Sequence, residues 1–259
     1  MPVILQSRLP FAPWMDQRTA RLPGIMPVEG DDWLRVDEAY AGQMALRDRL
    51  IAEQPEVVLG LLPEGRAAAQ ELYDMVLARL AGQPGYRIGS QSAVRPDGVE
   101  VPLDRGEPLR SLGRLVQEDL CLMERRGAEH VLTGACLCFP ASWSLDEKLG
   151  RPLTGIHETV KVYDPEIARR VQRLFDVIRP GQPLWRMNAL IYVNPELHQP
   201  GRVNAPRMDR RNGQYVRAER QCLLRLPQSQ AVLFAIHTYV VALEALTAAE
   251  RQGLEDARL

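Results

Sequence analysis

The stretch from Tyr215 to Tyr239, YVRAERQCLLRLPQSQAVLFAIHTY, reads as two long strands around a short turn. Side chains alternate between the faces of a strand, so Arg217, Glu219 and Gln221 share one face and Val216, Ala218 and Arg220 share the other. Arg220 therefore stands in the row that should be apolar. Long charged side chains are seldom enclosed unless they are paired or used. A chain carrying this hairpin must build a sheet that holds polar groups on a covered surface, and a polar site on that sheet is expected.

Composition narrows the classes of function. The net charge is −1, which leaves no electrostatic footprint for nucleic acid or an anionic membrane. No run of eighteen apolar residues occurs, and the start, MPVILQSRLPFAPW, lacks the charged n-region and apolar h-region of a signal peptide, so a cytoplasmic protein is expected. No G-x-G-x-x-G, P-loop or H-E-x-x-H motif is present, which argues against nucleotide-binding and zincin readings.

Along the chain, residues 1–30 are proline-rich and aperiodic, as in an extended arm. Helical spacing then dominates to about Ala81, with Asp37 placed to cap YAGQMALRDRLIAEQ and Pro63-Glu64-Gly65 leading into RAAAQELYDMVLARLAGQ. Asp97-Gly98 marks a turn or hairpin between Tyr86 and Arg105. LRSLGRLVQEDLCLMERR reads as one helix, with Leu112, Leu115, Val116, Leu120 and Met123 along a stripe. VLTGACLCFP reads as a buried strand, and Asp164-Pro165 opens a helix over EIARRVQRLFDVIRP. PLWRMNALIYVN is a further strand, and a helix over residues 246–259 closes the sequence. Helices followed by an antiparallel sheet with interleaved helices make an α+β fold class.

Candidate site residues gather in the irregular segment ASWSLDEKLGRPLTGIHETVKVY, which brings Trp143, Glu147, Lys148, Arg151 and His157 close together. A long aperiodic connection in a compact domain is commonly functional. Lys148 and Lys161 are the only lysines in an arginine-rich chain, so Lys148 reads either as a point charge for a carboxylate or propionate or as a solvated loop residue. Among the histidines, His130 and His198 read as loop residues and His237 as a satisfied sheet residue, which leaves His157 ahead as a ligand. Cys136 and Cys138 form a C-x-C pair rather than paired C-x-x-C motifs, so all four cysteines read as buried reduced thiols.

Phe139-Pro140-Ala141-Ser142-Trp143, Glu147 to Leu153, Ile156-His157, Arg217 to Gln221 and Leu224 to Pro227 together resemble the haem-dependent oxidative N-demethylase α-subunit family (DUF3445), with Trp33, Asp37 and Tyr40 matching its N-terminal part. The resemblance implies a PAS-like domain over residues 31–245 enclosing haem b. It implies partner subunits that carry FMN and a 2Fe-2S cluster and deliver electrons from NADPH, and a small secondary amine, dimethylamine in the characterised type, that is demethylated with dioxygen. Carried onto this sequence, it implies His157 as axial iron ligand and Trp143 as a pocket wall. Lys148 and Arg220 become cofactor partners, and Glu219 with Arg217 forms the catalytic polar site, the carboxylate suiting a cationic amine.

Three motifs depart from the family pattern. I-H-x-P-V-P is here Ile156-His157-Glu158-Thr159-Val160-Lys161, and R-x-N-W is Arg186-Met187-Asn188-Ala189. I-R-T-Y is Ile236-His237-Thr238-Tyr239, which places His237 beside the expected cofactor. Loss of the indole at Ala189 is expected to enlarge the pocket. A PAS-like haem sensor or carrier without catalysis, and a haem-free binding protein of the family, stand as alternatives to the oxygenase.

Overall fold

The computed structural model describes residues 3–19, 24–158, 164–202 and 212–257; Lys161, with Thr159 and Val160 of the first departing motif, lies outside the described residues. Met26–Pro27 forms β1, followed by helices α1 (Tyr40–Glu53) and α2 (Pro55–Val58), strand β2 (Leu59–Leu61) and helix α3 (Arg66–Ala81). Three short strands, β3 (Arg87–Ile88), β4 (Ser92–Val94) and β5 (Glu100–Pro102), make a small sheet of their own. Its β4–β5 connection turns at Gly98, whose φ of 84° is open to glycine and strained for other residues. Helix α4 (Pro108–Gly113) precedes the hairpin β6 (Asp119–Arg126) and β7 (Glu129–Cys136). Helices α5 (Leu145–Lys148), α6 (Leu153–Ile156) and α7 (Pro165–Val177) come next, then strands β8 (Leu184–Tyr192), β9 (Tyr215–Arg225) and β10 (Val232–Ala242), and helix α8 (Ala248–Asp256).

The main sheet has the order β1-β8-β9-β10-β6-β7-β2, and its neighbouring strands are antiparallel. β9 and β10 pair without a break from Tyr215 opposite Ala242 to Arg225 opposite Val232. One face packs Leu120, Leu122, Leu224, Leu233 and Ala235 against apolar residues of α1, α3 and α4. Further along that face, Met187, Ala189, Val216, Ala218 and Tyr239 lie under Leu9 and Trp14 of the N-terminal segment and Leu254 of α8. The opposite face carries Cys121, Met123, Leu223 and Val232 against Leu145, Leu153 and Phe175 of the segment from α5 to α7.

The single helix expected over residues 109–126 is two elements. The helix stops at Gly113, and Asp119–Arg126 becomes a central strand between β10 and β7. Both of its faces are covered, so its apolar run carries no alternation that separates it from a buried helix. Helix α7 forms as its sequence dictates. The Asp164 carboxylate accepts from the amides of Glu166 (2.9 Å) and Ile167 (2.8 Å), and Ile167, Val171, Leu174 and Phe175 make one stripe opposite a charged face. Asp37 lies two residues ahead of the cap position of α1, held by Ala39, whose amide donates to its carboxylate at 2.9 Å; Gln6, Gln117 and His237 engage the same carboxylate. Among the described residues, no helix is long and apolar enough to cross a membrane.

Candidate functional site

Between the sheet and the segment running from α5 to α7 lies a cavity of about 570 Å³. Its floor is the face of β8, β9 and β10 that bears Arg186, Asn188, Arg217, Glu219, Gln221, Leu223, Phe234 and Ile236. Its roof carries Trp143, Lys148, Leu153, Ile156 and His157, and α7 closes one side with Ile167, Arg170, Val171 and Leu174. Much of this lining is apolar, with a polar strip down the floor.

The roof is held by its own hydrogen bonds. α6 is one turn long and ends at His157, whose Nδ1 lies 2.9 Å from the Leu153 carbonyl oxygen. That contact assigns the ring proton to Nδ1 and the lone pair to Nε2, and burial depresses the imidazole pKa, so the neutral donor form prevails at neutral pH. Lys148 is only 4% exposed and donates from Nζ to the Ile156 carbonyl at 2.7 Å, which ties α5 to α6. Burial lowers its pKa as well.

On the floor, Glu219 accepts from the Gln221 amide at 3.0 Å, lies 3.5 Å from the Asn188 amide nitrogen and 3.7 Å from Arg217 Nε. Its backbone N–H donates to Asn188 Oδ1. Arg217 is buried and directs its terminal nitrogens to the carbonyls of Phe139 (2.6 Å) and Leu197 (2.9 Å), which clamps the start of the roof segment to the sheet. A second clamp acts from below. Asp119 accepts from the amides of Cys138 and Phe139 and is neutralised by Arg47 at 2.7 Å, a pair fully enclosed in the core.

Strand alternation puts Arg217 and Glu219 on the cavity face, opposite Trp143, Lys148 and His157 of the roof segment, and sends Arg220 and His237 across the sheet. Arg220 donates to the Asp32 carbonyl (2.7 Å), meets the Asp32 carboxylate at 3.3 Å and stacks over Trp185. His237 is held by Glu118 at 2.8 Å and Asp37 at 3.1 Å. Burial opposes its charge, but the two carboxylates prevail and raise its pKa to about 9, while Asp37 is held down at about 2. Neither residue lines the cavity.

Ala189 also faces away from the cavity. It sits on the odd row of β8 in the cluster with Leu9 and Trp14, so its small side chain leaves the cavity volume unchanged. His130 is not a loop residue but a fully buried part of β7, with Nδ1 2.9 Å from the Gln172 amide nitrogen. His198 is half-buried, with Nδ1 2.8 Å from the Cys138 carbonyl. All four cysteines are buried and unbridged, and no group of three or more metal-ligating side chains occurs among the described residues.

The sequence reading missed Arg186 and Asn188 as floor residues. Their signal is the even register of β8, which pairs Arg186 with Gln221 and Asn188 with Glu219. A carboxylate flanked by amides in an apolar cavity suits a small cation, and a neutral imidazole with an anchored Nδ1 suits a metal or a proton in transit. The profile of one protein family, the haem-dependent oxidative N-demethylase, alpha subunit-like family, matches residues 24–257. The chain belongs to that family.

Proposed function

We propose that this family member binds haem in the cavity and, supplied with electrons by partner subunits, removes an N-methyl group from a small amine. The observation that carries the reading is the convergence of His157 on the roof and Glu219 on the floor in one largely apolar cavity. The residues fit the cofactor. Apolar walls suit a macrocycle, the Lys148 cation suits an acidic substituent, and the anchored His157 offers a nitrogen ligand of the required tautomer. Arg220 takes no part in this reading, because it faces the other side of the sheet.

Haem, when bound, supplies dioxygen activation for oxidation of the N-methyl carbon. The balance is a methylamine, dioxygen, two electrons and two protons yielding the demethylated amine, formaldehyde and water. The chain's own residues set the conditions. Glu219 holds the ammonium of the substrate, with Gln221 and Asn188 fixing the carboxylate that does so. Trp143 walls the cavity, and Arg217 keeps the roof segment seated over the sheet.

The finer assignments belong to the same proposal. The sheet with its helices is a PAS-like domain over residues 31–245, preceded by an arm over residues 1–30 that lends β1 to the sheet and followed by a C-terminal unit, residues 246–259, that holds α8. The cofactor is haem b, and NADPH, FMN and a 2Fe-2S cluster act through reductase subunits in the cytoplasm. An absorption spectrum of the full chain after haem addition, with and without dithionite and dimethylamine, tests the reading. A Soret band that shifts with dimethylamine supports it, and His157→Ala then moves the Soret maximum. A Soret band indifferent to amines favours the sensor or carrier, and a protein that takes up no haem overturns the reading.

A further inference from the structure

Arg186 is the anomaly of the cavity. Its Nη1 donates to Gln221 Oε1 at 3.3 Å, its Nε is buried without a hydrogen-bond partner, and among the described residues it makes no ion pair. Burial pulls its pKa below the ordinary guanidinium value. The Glu219 carboxylate pulls the other way through space without being bonded to it; a largely enclosed guanidinium with no direct ion pair is costly, and it is shaped to take a carboxylate through paired N–H donors.

The neighbouring groups say which anion fits. Register pairs Arg186 with Gln221 and Asn188 with Glu219, so Arg186 and Glu219 are diagonal neighbours on one face. Gln221 stands between them, accepting from Arg186 through Oε1 and donating to Glu219 through Nε2 at 3.0 Å. Its amide is thereby oriented, and it keeps the two charges from collapsing onto each other. The floor thus sets the Glu219 carboxylate, with Arg217 Nε 3.7 Å to one side, beside the Arg186 guanidinium, with the Gln221 amide between them.

We propose that the strip Arg186–Gln221–Glu219 recognises a zwitterion, an N-methylated amino acid whose ammonium lies on Glu219 and whose carboxylate lies on Arg186. The inference rests on the N-demethylation reading of this cavity and names its substrate class. A propionate of the cofactor carries the same carboxylate chemistry, and the experiment separates the two sources.

The haem-loaded full chain is titrated with sarcosine, N,N-dimethylglycine and dimethylamine, read by the Soret band, for the wild type, Arg186→Met and Arg186→Lys. Thermal shift with sarcosine is measured alongside, because it needs no cofactor. The wild type is expected to bind the amino acids more tightly than dimethylamine, and Arg186→Met to lower the ratio of sarcosine to dimethylamine affinity about 10- to 100-fold, the worth of a charge-assisted hydrogen bond. Arg186→Lys restores part of that ratio, and the thermal shift with sarcosine disappears in Arg186→Met. If Arg186→Met instead weakens haem retention and leaves the ratio unchanged, the carboxylate is a propionate and the proposal is overturned. Wild-type protein that responds to dimethylamine and ignores both amino acids overturns it too, while leaving the demethylase reading intact. Absence of a Soret band sinks that reading instead, and the thermal shift then decides zwitterion binding by itself.

Discussion

Buried charge is handled differently on the two faces of the central sheet. Beneath α1 and the N-terminal segment, Arg47 closes on Asp119 at 2.7 Å, Arg220 on Asp32 at 3.3 Å, and His237 on both Glu118 and Asp37. On the cavity face, among the described residues, Arg217 and Glu219 stay 3.7 Å apart, Arg186 hydrogen-bonds only an amide oxygen and Lys148 only a backbone carbonyl. Closed pairs return most of the desolvation they cost and fix one geometry, so the first face serves folding. Under the zwitterion proposal, cations without a direct ion pair serve a ligand that brings an anion, stability being given up at such sites for function.

Substitutions can break or sharpen this contrast. Arg47→Met strands Asp119 in the core and is expected to cost about 3–5 kcal/mol, read as a lower urea midpoint at constant m. A cost no larger than that of Arg186→Met would erase the distinction between the faces.

The next effect is a pH dependence on the closed face. The folded pKa of His237 is raised from 6.5 to about 9, so its contribution is fully present below 6.5 and is lost as pH rises through about 9. Asp37 behaves in the opposite sense, contributing above 3.8 and losing its contribution as pH falls through about 2. Stability of the wild type should therefore decline on the alkaline side by an amount on the order of 3 kcal/mol, each pKa unit being worth about 1.4 kcal/mol. In His237→Gln that alkaline limb flattens. An unchanged limb would mean that other groups set it.

Smaller effects belong to the cavity side. Asp164→Ala removes the cap of α7 and is expected to cost about 1 kcal/mol in the same denaturation measurement. Arg186→Met, without ligand, should change stability by less than about 1 kcal/mol and in the stabilising direction, since it removes a largely enclosed cation whose Nε is unpartnered and that makes no direct ion pair among the described residues. A clear loss there would show that Arg186 is a folding residue after all.

Much of the floor was legible because strand alternation is local. Arg217, Glu219 and Gln221 share a face whatever surrounds the strand, and the same rule places Arg220 opposite them. The assignment of Arg220 to a cofactor, which the family resemblance implied, ran against that rule. Arg186, named in the sequence only within the R-x-N-W motif, was not read as a floor residue for a different reason. An arginine on a strand is ordinary until its neighbours are known, and only the pairing with Gln221 shows that no carboxylate meets it.

The sequence by itself determined the periodic and capped elements, namely the hairpin, α3, and α7 with its Asp164 cap, because covalent geometry and first-turn hydrogen bonding act over a few residues. Tertiary structure alone decided that residues 119–126 become a central strand and that Ala189 faces away from the cavity. It also decided which charges find partners. These outcomes depend on what covers each face of the sheet, and chain segments far apart in sequence supply that cover.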